Sequence, residues 1–175
     1  MAIEYIFKCI VIGPGAVGKS SLVRRFIENK FEINYNFTIG VDFLAKTVEY
    51  KNNKFAKLSI WDVGGQERFK VLRRSFYEGT HGALLIFDLS RANTFQSMKD
   101  WLKDMRSIIE GEIPIVILGN KADLLLEVGE VINRDEPKKF AQEQQSIYIE
   151  TSAKTGENVD KAFVELTKRM KDYHS

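Results

Sequence analysis

The chain has 175 residues, which is enough for one domain with a substantial core and too few for a second domain of ordinary size. With 44% hydrophobic and 29% charged residues, its composition excludes disordered and collagen-like chains. The formal net charge of +2 indicates no nucleic acid partner and no purely electrostatic attachment to an acidic membrane. We therefore expect one globular domain over residues 1–175, acting as a monomer.

The sequence carries no signal that would direct the chain into a membrane. No apolar stretch approaches the roughly eighteen residues of a membrane-spanning helix, and the N-terminus lacks a signal sequence. The one cysteine, Cys9, lies in an apolar run and is predicted to be a buried thiol in a reducing compartment. We expect a cytoplasmic protein. The sequence ends Tyr173-His174-Ser175, without a C-terminal cysteine that could carry a prenyl group. We therefore expect the protein at the cytosolic face of membranes only if a missing tail carries lipid.

Apolar runs with strand-like patterns recur along the chain. Residues 83–87 and 113–118 are continuously apolar, as expected for strands that are covered on both faces. Residues 41–50 and 55–63 are joined by Lys51-Asn52-Asn53-Lys54, in which asparagine tolerates the left-handed turn of a hairpin. The predicted strands are residues 5–13, 41–50, 55–63, 83–89, 113–119 and 147–150.

Segments with a helical period alternate with these strands. In the last one, Val159, Phe163, Leu166 and Met170 recur at three- and four-residue spacing and form one core-facing stripe. The alternation predicts an α/β fold: a six-stranded, mostly parallel sheet with one antiparallel edge strand, flanked by five helices. The polar residues 127–136 are predicted to form a surface loop. The predicted helices are residues 19–28, 69–78, 94–109, 136–145 and 158–173.

A glycine-rich loop connects the first predicted strand to the first predicted helix. Its sequence, Gly13-Pro14-Gly15-Ala16-Val17-Gly18-Lys19-Ser20, matches the phosphate-binding pattern G-x-x-x-x-G-K-[ST] in the context that pattern requires. The main-chain N–H groups and the helix N-terminus would surround phosphates, Lys19 would add a charge near the β- and γ-phosphates, and Ser20 would bind Mg²⁺. This loop predicts a nucleotide site without choosing between ATP and GTP.

A second motif predicts the base. Asn120-Lys121-Ala122-Asp123 follows a buried strand, at the carboxyl edge where open α/β sheets bind ligands. The Asp123 carboxylate can accept hydrogen bonds from both the N1–H and the amino group of guanine, and adenine has no such pair of donors. The motif is short, but Glu150-Thr151-Ser152-Ala153-Lys154 follows it at the end of the last strand. We therefore predict a guanine nucleotide.

In this order, the three motifs resemble those of the Ras superfamily of small GTPases, over nearly the whole chain. The resemblance implies a P-loop NTPase G domain, a switch that binds GTP or GDP with Mg²⁺ and slowly hydrolyses GTP to GDP and phosphate. It also implies that the N–H at Ala153 donates to the guanine carbonyl. The nucleotide contacts that it implies are Gly13, Gly15, Ala16, Val17, Gly18, Lys19, Ser20, Ser21, Phe31, Tyr35, Thr38, Gly65, Asn120, Lys121, Asp123, Leu124, Ser152, Ala153 and Lys154.

Two further segments resemble the switches of this family. In Asp62-Val63-Gly64-Gly65-Gln66, the resemblance assigns Asp62 to Mg²⁺ through water, the Gly65 N–H to the γ-phosphate and Gln66 to the attacking water. Thr38 would bind Mg²⁺ and the γ-phosphate. Loss of that phosphate would release residues 31–40 and 64–76. The implied metal ligands are Ser20, Thr38 and Asp62, and the implied catalytic residues are Gln66, Lys19, Thr38 and Gly65.

Residues 38–43, 61–62 and 65–69 resemble the Rab branch in particular, which implies a role in vesicle traffic. An exchange factor, a GTPase-activating protein and effectors would bind at residues 38–43 and 61–76, with Phe43, Trp61 and Phe76 as an effector-reading cluster. Ordinary core packing is the alternative for these aromatics and for Phe31, which in the family packs edge-on against guanine. Val63-Gly64 replaces the usual Thr-Ala of a Rab and resembles the Arf branch.

Two other functions stay open. A P-loop nucleoside or nucleotide kinase would need a second phosphate-acceptor site and a basic lid, and the sequence shows neither. A GTP-binding module without turnover would not need Gln66, Thr38 or Gly15, and the presence of all three argues against that alternative. The sequence contains no obvious general base and no arginine that must act in cis, so we expect slow intrinsic hydrolysis that an activating partner accelerates.

Overall fold

The computed structural model describes residues 1–33, 38–66 and 71–175. Its strands form one six-stranded sheet in the order β2-β3-β1-β4-β5-β6. Neighbouring strands run parallel except β2, which lies at one edge and pairs antiparallel with β3. The predicted sheet with one antiparallel edge strand is therefore confirmed. The strands are β1 (Ile3–Ile12), β2 (Val41–Lys51), β3 (Lys54–Val63), β4 (Gly82–Asp88), β5 (Ile115–Asn120) and β6 (Ile147–Glu150).

Local sequence explains the two kinds of strand. All residues of β4 and β5 are buried, which is why their sequences are continuously apolar instead of alternating. The hairpin of β2 and β3 turns at Asn53, whose φ of 57° lies in the left-handed region that asparagine tolerates. The carboxyl ends of the parallel strands β1, β3, β4, β5 and β6 therefore meet at one edge of the sheet.

The five predicted helices are present, the first with its predicted bounds and the others with shifted ends, and the described residues contain a sixth. The part of the second predicted helix that the structure describes is Arg73–Tyr77, and its predicted start at residue 69 lies outside the described residues. The additional helix is a single turn that includes the start of the predicted loop 127–136, too short to show a helical period. The helices are α1 (Lys19–Glu28), α2 (Arg73–Tyr77), α3 (Asn93–Ile108), α4 (Leu125–Val128), α5 (Asp135–Glu143) and α6 (Val159–His174), with a 3₁₀ turn at Ala122–Leu124.

Two apolar clusters, one on each face of the sheet, form the core. On one face, Phe26 of α1 and Phe163 of α6 stack with their ring centroids 3.9 Å apart. On the other, Trp101 of α3 packs among residues of β4 and β5. Cys9 is fully buried, and burial raises the pKa of its thiol to about 12, as expected for an inert core cysteine. Within the described residues, no helix is both long and apolar enough to cross a bilayer.

Candidate nucleotide-binding site

The loop between β1 and α1 has a backbone that only small residues permit. A Cβ on Gly13 would lie 2.3 Å from the carbonyl oxygen of Ile86, and a Cβ on Gly18 would lie 2.5 Å from the side-chain nitrogen of Asn120. Gly18 also has a φ of 93°, and Ala16 adopts a left-handed φ of 60°. Strand β4 and the motif at Asn120 therefore approach the loop too closely for larger side chains.

Lys19, at the start of α1, points back into this loop. Its ammonium group donates hydrogen bonds of 2.9 Å and 2.7 Å to the carbonyl oxygens of Gly13 and Pro14. The side chain is buried, and burial lowers the pKa of Lys19 to about 8, although the nearby Asp62 opposes the shift. A buried cation beside an anion-binding loop is suited to phosphate, whose negative charge would favour the charged ammonium.

The three predicted metal ligands lie together beside the loop. The hydroxyl oxygens of Ser20 and Thr38 are 2.6 Å apart, and the Ser20 hydroxyl also donates to Oδ2 of Asp62. The other carboxylate oxygen, Oδ1, is buried without a hydrogen-bond partner in the described part of the chain. Burial raises the pKa of Asp62 to about 6, against the Ser20 hydrogen bond that lowers it. Two hydroxyls and a carboxylate with an unpartnered oxygen fit Mg²⁺, a cation that binds oxygen ligands.

This oxygen set differs from a transition-metal site. Residues 1–33, 38–66 and 71–175 contain no group of three or more His, Cys, Asp or Glu side chains that could hold a metal ion. The chemistry of the three side chains therefore favours a hard cation that keeps several waters or phosphate oxygens among its ligands.

A cleft of about 480 Å³ opens between the loop, the segment after β5 and the segment after β6. Most residues lining it were predicted nucleotide contacts, and the cleft is large enough to hold a base. Glu32 and Ile33 also line it and were not predicted; their position directly after Phe31 was the available signal. The predicted residues that line the cleft are Ala16, Gly18, Ser21, Phe31, Asn120, Lys121, Asp123, Leu124, Ala153 and Lys154.

Asn120 connects three parts of the site. Its side-chain nitrogen donates to the carbonyl of Val17 at 2.9 Å, and its side-chain oxygen accepts from the hydroxyl of Thr151 at 3.1 Å. The residue is only 1% exposed. Its amide therefore holds the loop between β1 and α1, the end of β5 and the end of β6 in one arrangement. Both polar atoms of the Asn120 side chain are used in hydrogen bonds within the protein.

Ser152 lies behind Asp123 instead of at the cleft surface. It is fully buried, and its hydroxyl donates a 2.7 Å hydrogen bond to Oδ1 of Asp123. The same oxygen, Oγ of Ser152, accepts the N–H of Thr155 at 3.1 Å. Ser152 thus orients the carboxylate that was predicted to read guanine, and the adjacent Ala153 lines the cleft.

Sequence analysis did not identify Asp88, the last residue of β4. Its buried carboxylate lies 3.0 Å from the Nζ of Lys121, which also donates to the carbonyl of Ala16 at 2.9 Å. Burial opposes the charge, but hydrogen bonds from Ser90 and the Lys121 ammonium keep the pKa of Asp88 below its usual range. An acidic residue at the carboxyl end of a fully apolar strand was the signal that could have found it.

The two switch segments meet each other and the phosphate loop. The N–H of Gly64 donates a 2.7 Å hydrogen bond to the carbonyl of Gly40. A Cβ on Gly64 would lie 2.6 Å from the carbonyl oxygen of Thr38, and a Cβ on Gly65 would lie 2.6 Å from the main-chain nitrogen of Gly15. Gln66, directly after Gly65, is partly exposed. Thr38 and Gly65 are therefore brought to the loop, whereas Tyr35 lies outside the described residues.

The aromatic residues divide between the core and the surface. Phe31 is partly buried against the core and also lines the cleft. Trp61 and Phe76 are partly buried against the other core cluster. Phe43 is 62% exposed and meets the Trp61 ring edge-on, with centroids 4.4 Å apart. An exposed ring beside a half-buried one is a plausible contact for another protein.

Comparison with known proteins identifies the family. The model described as "Ras family" matches residues 8–172. The chain is 42% identical to Ras-related protein Rab-4A of Homo sapiens over 167 residues, covering 95% of this chain and 75% of that protein. It is 43% identical to human Rab-4B and 40% identical to Rab-2B of Dictyostelium discoideum, covering 77% and 81% of those proteins. The chain therefore belongs to the Ras family and is a Rab-like small GTPase, a molecular switch that binds guanine nucleotides and hydrolyses GTP.

Proposed function

We propose that residues 1–175 form a single G domain that holds GTP and Mg²⁺ at the carboxyl edge of the sheet. The observation that carries this assignment is the meeting, at that edge, of the buried Lys19 ammonium, the oxygens of Ser20, Thr38 and Asp62, and the cleft at Asp123. The first two groups match a phosphate chain and its cation, and the third matches a guanine base.

The phosphates are held by the loop and its charges. The N–H groups of the loop and the N-terminus of α1 bind phosphate oxygens, and Lys19 contacts the β- and γ-phosphates. Ser20, Thr38 and Asp62 would hold Mg²⁺, and the ion would supply positive charge beside the β- and γ-phosphates. The unpartnered Oδ1 of Asp62 supports this role, because a buried lone carboxylate oxygen is costly without a partner.

Hydrolysis is an in-line attack of water on the γ-phosphate. The water oxygen forms a bond to phosphorus, the bond between phosphorus and the bridging oxygen to GDP breaks, and the water protons pass to phosphate oxygens and solvent. Gln66 orients the water, and the Gly65 N–H, held against the loop, donates to the γ-phosphate. Because no side chain serves as a general base, intrinsic hydrolysis is slow.

The switch acts through other proteins, as expected of a Rab-like regulator of membrane traffic. An exchange factor, an activating protein and effectors bind residues 38–43 and 61–76, where Phe43 and Trp61 present an aromatic surface. When the γ-phosphate leaves, Thr38 and Gly65 lose a shared ligand, and that surface changes. The protein acts in the cytoplasm and, only where lipid anchors it, at the cytosolic face of membranes.

Nucleotide binding by the purified chain tests this function. GTP and GDP should bind in competition with each other and much more tightly than ATP, and chromatography of the bound nucleotide should show slow conversion of GTP to GDP. Gln66→Leu should bind normally but hydrolyse GTP at least tenfold more slowly. Equal binding of ATP would contradict the base assignment. GTP that is never converted would support a binding module without turnover, and a phosphorylated small-molecule product would support a kinase.

A further inference from the structure

The carbonyl oxygen of Ala16, in the middle of the phosphate loop, accepts hydrogen bonds from two cationic side chains. The Nζ of Lys121 donates to it at 2.9 Å, and the Nη2 of Arg91 donates to it at 2.9 Å. The same Nη2 lies 3.3 Å from the carbonyl oxygen of Gly15. Lys121 belongs to the motif that was predicted from the sequence, whereas Arg91, in the segment between β4 and α3, belongs to no motif.

Arg91 is held in this position by a buried anion. Its Nε donates to Oδ2 of Asp88 at 3.0 Å, and Lys121 contacts the same oxygen at 3.0 Å. The other oxygen of Asp88 accepts the N–H and the hydroxyl of Ser90 at 2.8 Å and 2.6 Å. The Asp88 side chain is 1% exposed and the Arg91 side chain 42% exposed. The carboxylate therefore fixes both cations against the loop, while the Arg91 side chain stays partly exposed.

Peptide geometry connects these carbonyls to the phosphate site. In a planar trans peptide, the C=O points opposite to the N–H of the following residue. A donor that holds the carbonyls of Gly15 and Ala16 therefore also fixes the N–H directions of Ala16 and Val17, on the other side of the loop. A cation on a carbonyl also polarises the peptide, which makes its N–H a stronger donor.

The hydrogen bonds to the Ala16 carbonyl also bear on the strained backbone of Ala16 itself. Ala16 has a φ of 60°, a left-handed conformation that disfavours residues other than glycine. Two cations on its carbonyl stabilise that conformation and hold the N–H groups of the loop in one arrangement.

We propose that Arg91 is a positioning residue of the phosphate-binding loop: it holds the Gly15 and Ala16 carbonyls so that the Ala16 and Val17 N–H groups point at the phosphates. The inference rests on the proposed function, because it requires that the loop bind phosphates. Arg91 contacts the loop from its carbonyl side and acts on the nucleotide through the loop. It is therefore distinct from an arginine that contacts the γ-phosphate.

The test compares Arg91→Ala, Arg91→Lys and the control Arg169→Ala. Arg169 of α6 is partly exposed and also donates to a main-chain carbonyl, that of Gln145 at 3.2 Å, which lies before β6, whereas the cleft lies after it. The measurements are the rates of GDP and GTP release in Mg²⁺ and the ³¹P resonances of bound GDP. Arg91→Ala should release both nucleotides about fivefold to thirtyfold faster and shift the β-phosphate resonance. Arg91→Lys, which keeps the charge but not the planar guanidinium fork, should be intermediate, and Arg169→Ala should match the unaltered chain.

Each result bears on a different statement. If the unaltered chain binds GDP, and Arg91→Ala releases it at the unaltered rate with an unmoved β-phosphate resonance, the inference is overturned while the proposed function stands. If the unaltered chain binds no guanine nucleotide, both are overturned. Should Arg91→Ala fail to fold, Arg91→Lys decides, because unchanged release and an unmoved resonance in that variant overturn the role of the guanidinium fork.

Discussion

The hydroxyl of Ser152 donates a 2.7 Å hydrogen bond to Oδ1 of Asp123, and Ser152 itself is fully buried. A buried donor fixes the rotation of the carboxylate, so that its remaining lone pairs face the cleft in one orientation. If Asp123 reads the base, as proposed, the selectivity of the site depends also on a side chain that lies behind the cleft.

Asp123→Asn should change the choice of base. An amide offers one acceptor and one donor where the carboxylate offers two acceptors, so its N–H would face the amino group of guanine. Xanthine carries a carbonyl in place of that amino group and would accept the N–H. We expect GDP binding to weaken by roughly a hundredfold or more and xanthosine diphosphate binding to improve. Competition titrations measure both, with the exposed Asp135→Asn as control; an unchanged preference for GDP would contradict the assignment.

Removal of Mg²⁺ should loosen the bound nucleotide through the oxygens of Ser20, Thr38 and Asp62. Chelation of the ion should accelerate GDP release by roughly tenfold or more, because the phosphate charges lose their cation. Ser20→Ala should release GDP faster in Mg²⁺ and respond much less to the chelator. Ser107→Ala removes an exposed hydroxyl that donates within α3 and should respond as the unaltered chain does. A full chelator response in Ser20→Ala would contradict the metal assignment.

Phe163→Ala should destabilise the fold, because the ring is fully buried and stacks on Phe26. Removing a buried aromatic ring leaves a cavity and costs about 3–5 kcal/mol of unfolding free energy. The matched control is Leu126→Ala, since Leu126 is 97% exposed and should cost less than about 0.5 kcal/mol. Urea denaturation at saturating GDP measures both variants. Equal losses would mean that the interface between α1 and α6 is not part of the cooperative core.

His81 should make stability depend on pH. Its Nδ1 accepts the N–H of Lys8 at 2.9 Å, and burial, with His174 nearby, lowers the pKa of His81. The unfolded chain therefore binds a proton at a higher pH than the folded chain, and the stability present above the ordinary pKa of about 6.5 is lost as the pH falls below it. Urea denaturation should show lower stability at pH 5.5 than at pH 7.5. The difference should be smaller in His81→Asn, and an equal difference would exclude His81 as a cause.

Much of the fold could be predicted because its signals are local. The apolar runs of β4 and β5, the asparagine turn after β2 and the stripe on α6 each occupy consecutive or helically spaced residues. The single turn of α4 could not be predicted, because four residues are too few to show a period. The ends of α3, α5 and α6 differ from their predicted positions by one or two residues, because neighbouring segments as well as the helix itself set where a helix begins and ends.

The sequence by itself determined the kinds of chemistry available: a glycine loop with a lysine for phosphate, and a carboxylate after a buried strand for guanine. Only the tertiary structure decided which side chains support those groups. Arg91 and Ala16 are 75 residues apart, and Ser152 and Asp123 are 29 apart. Nothing in their local sequence pairs them. They meet because β1 lies beside β4, and β5 beside β6, so that the ends of neighbouring parallel strands bring distant segments to one edge of the sheet.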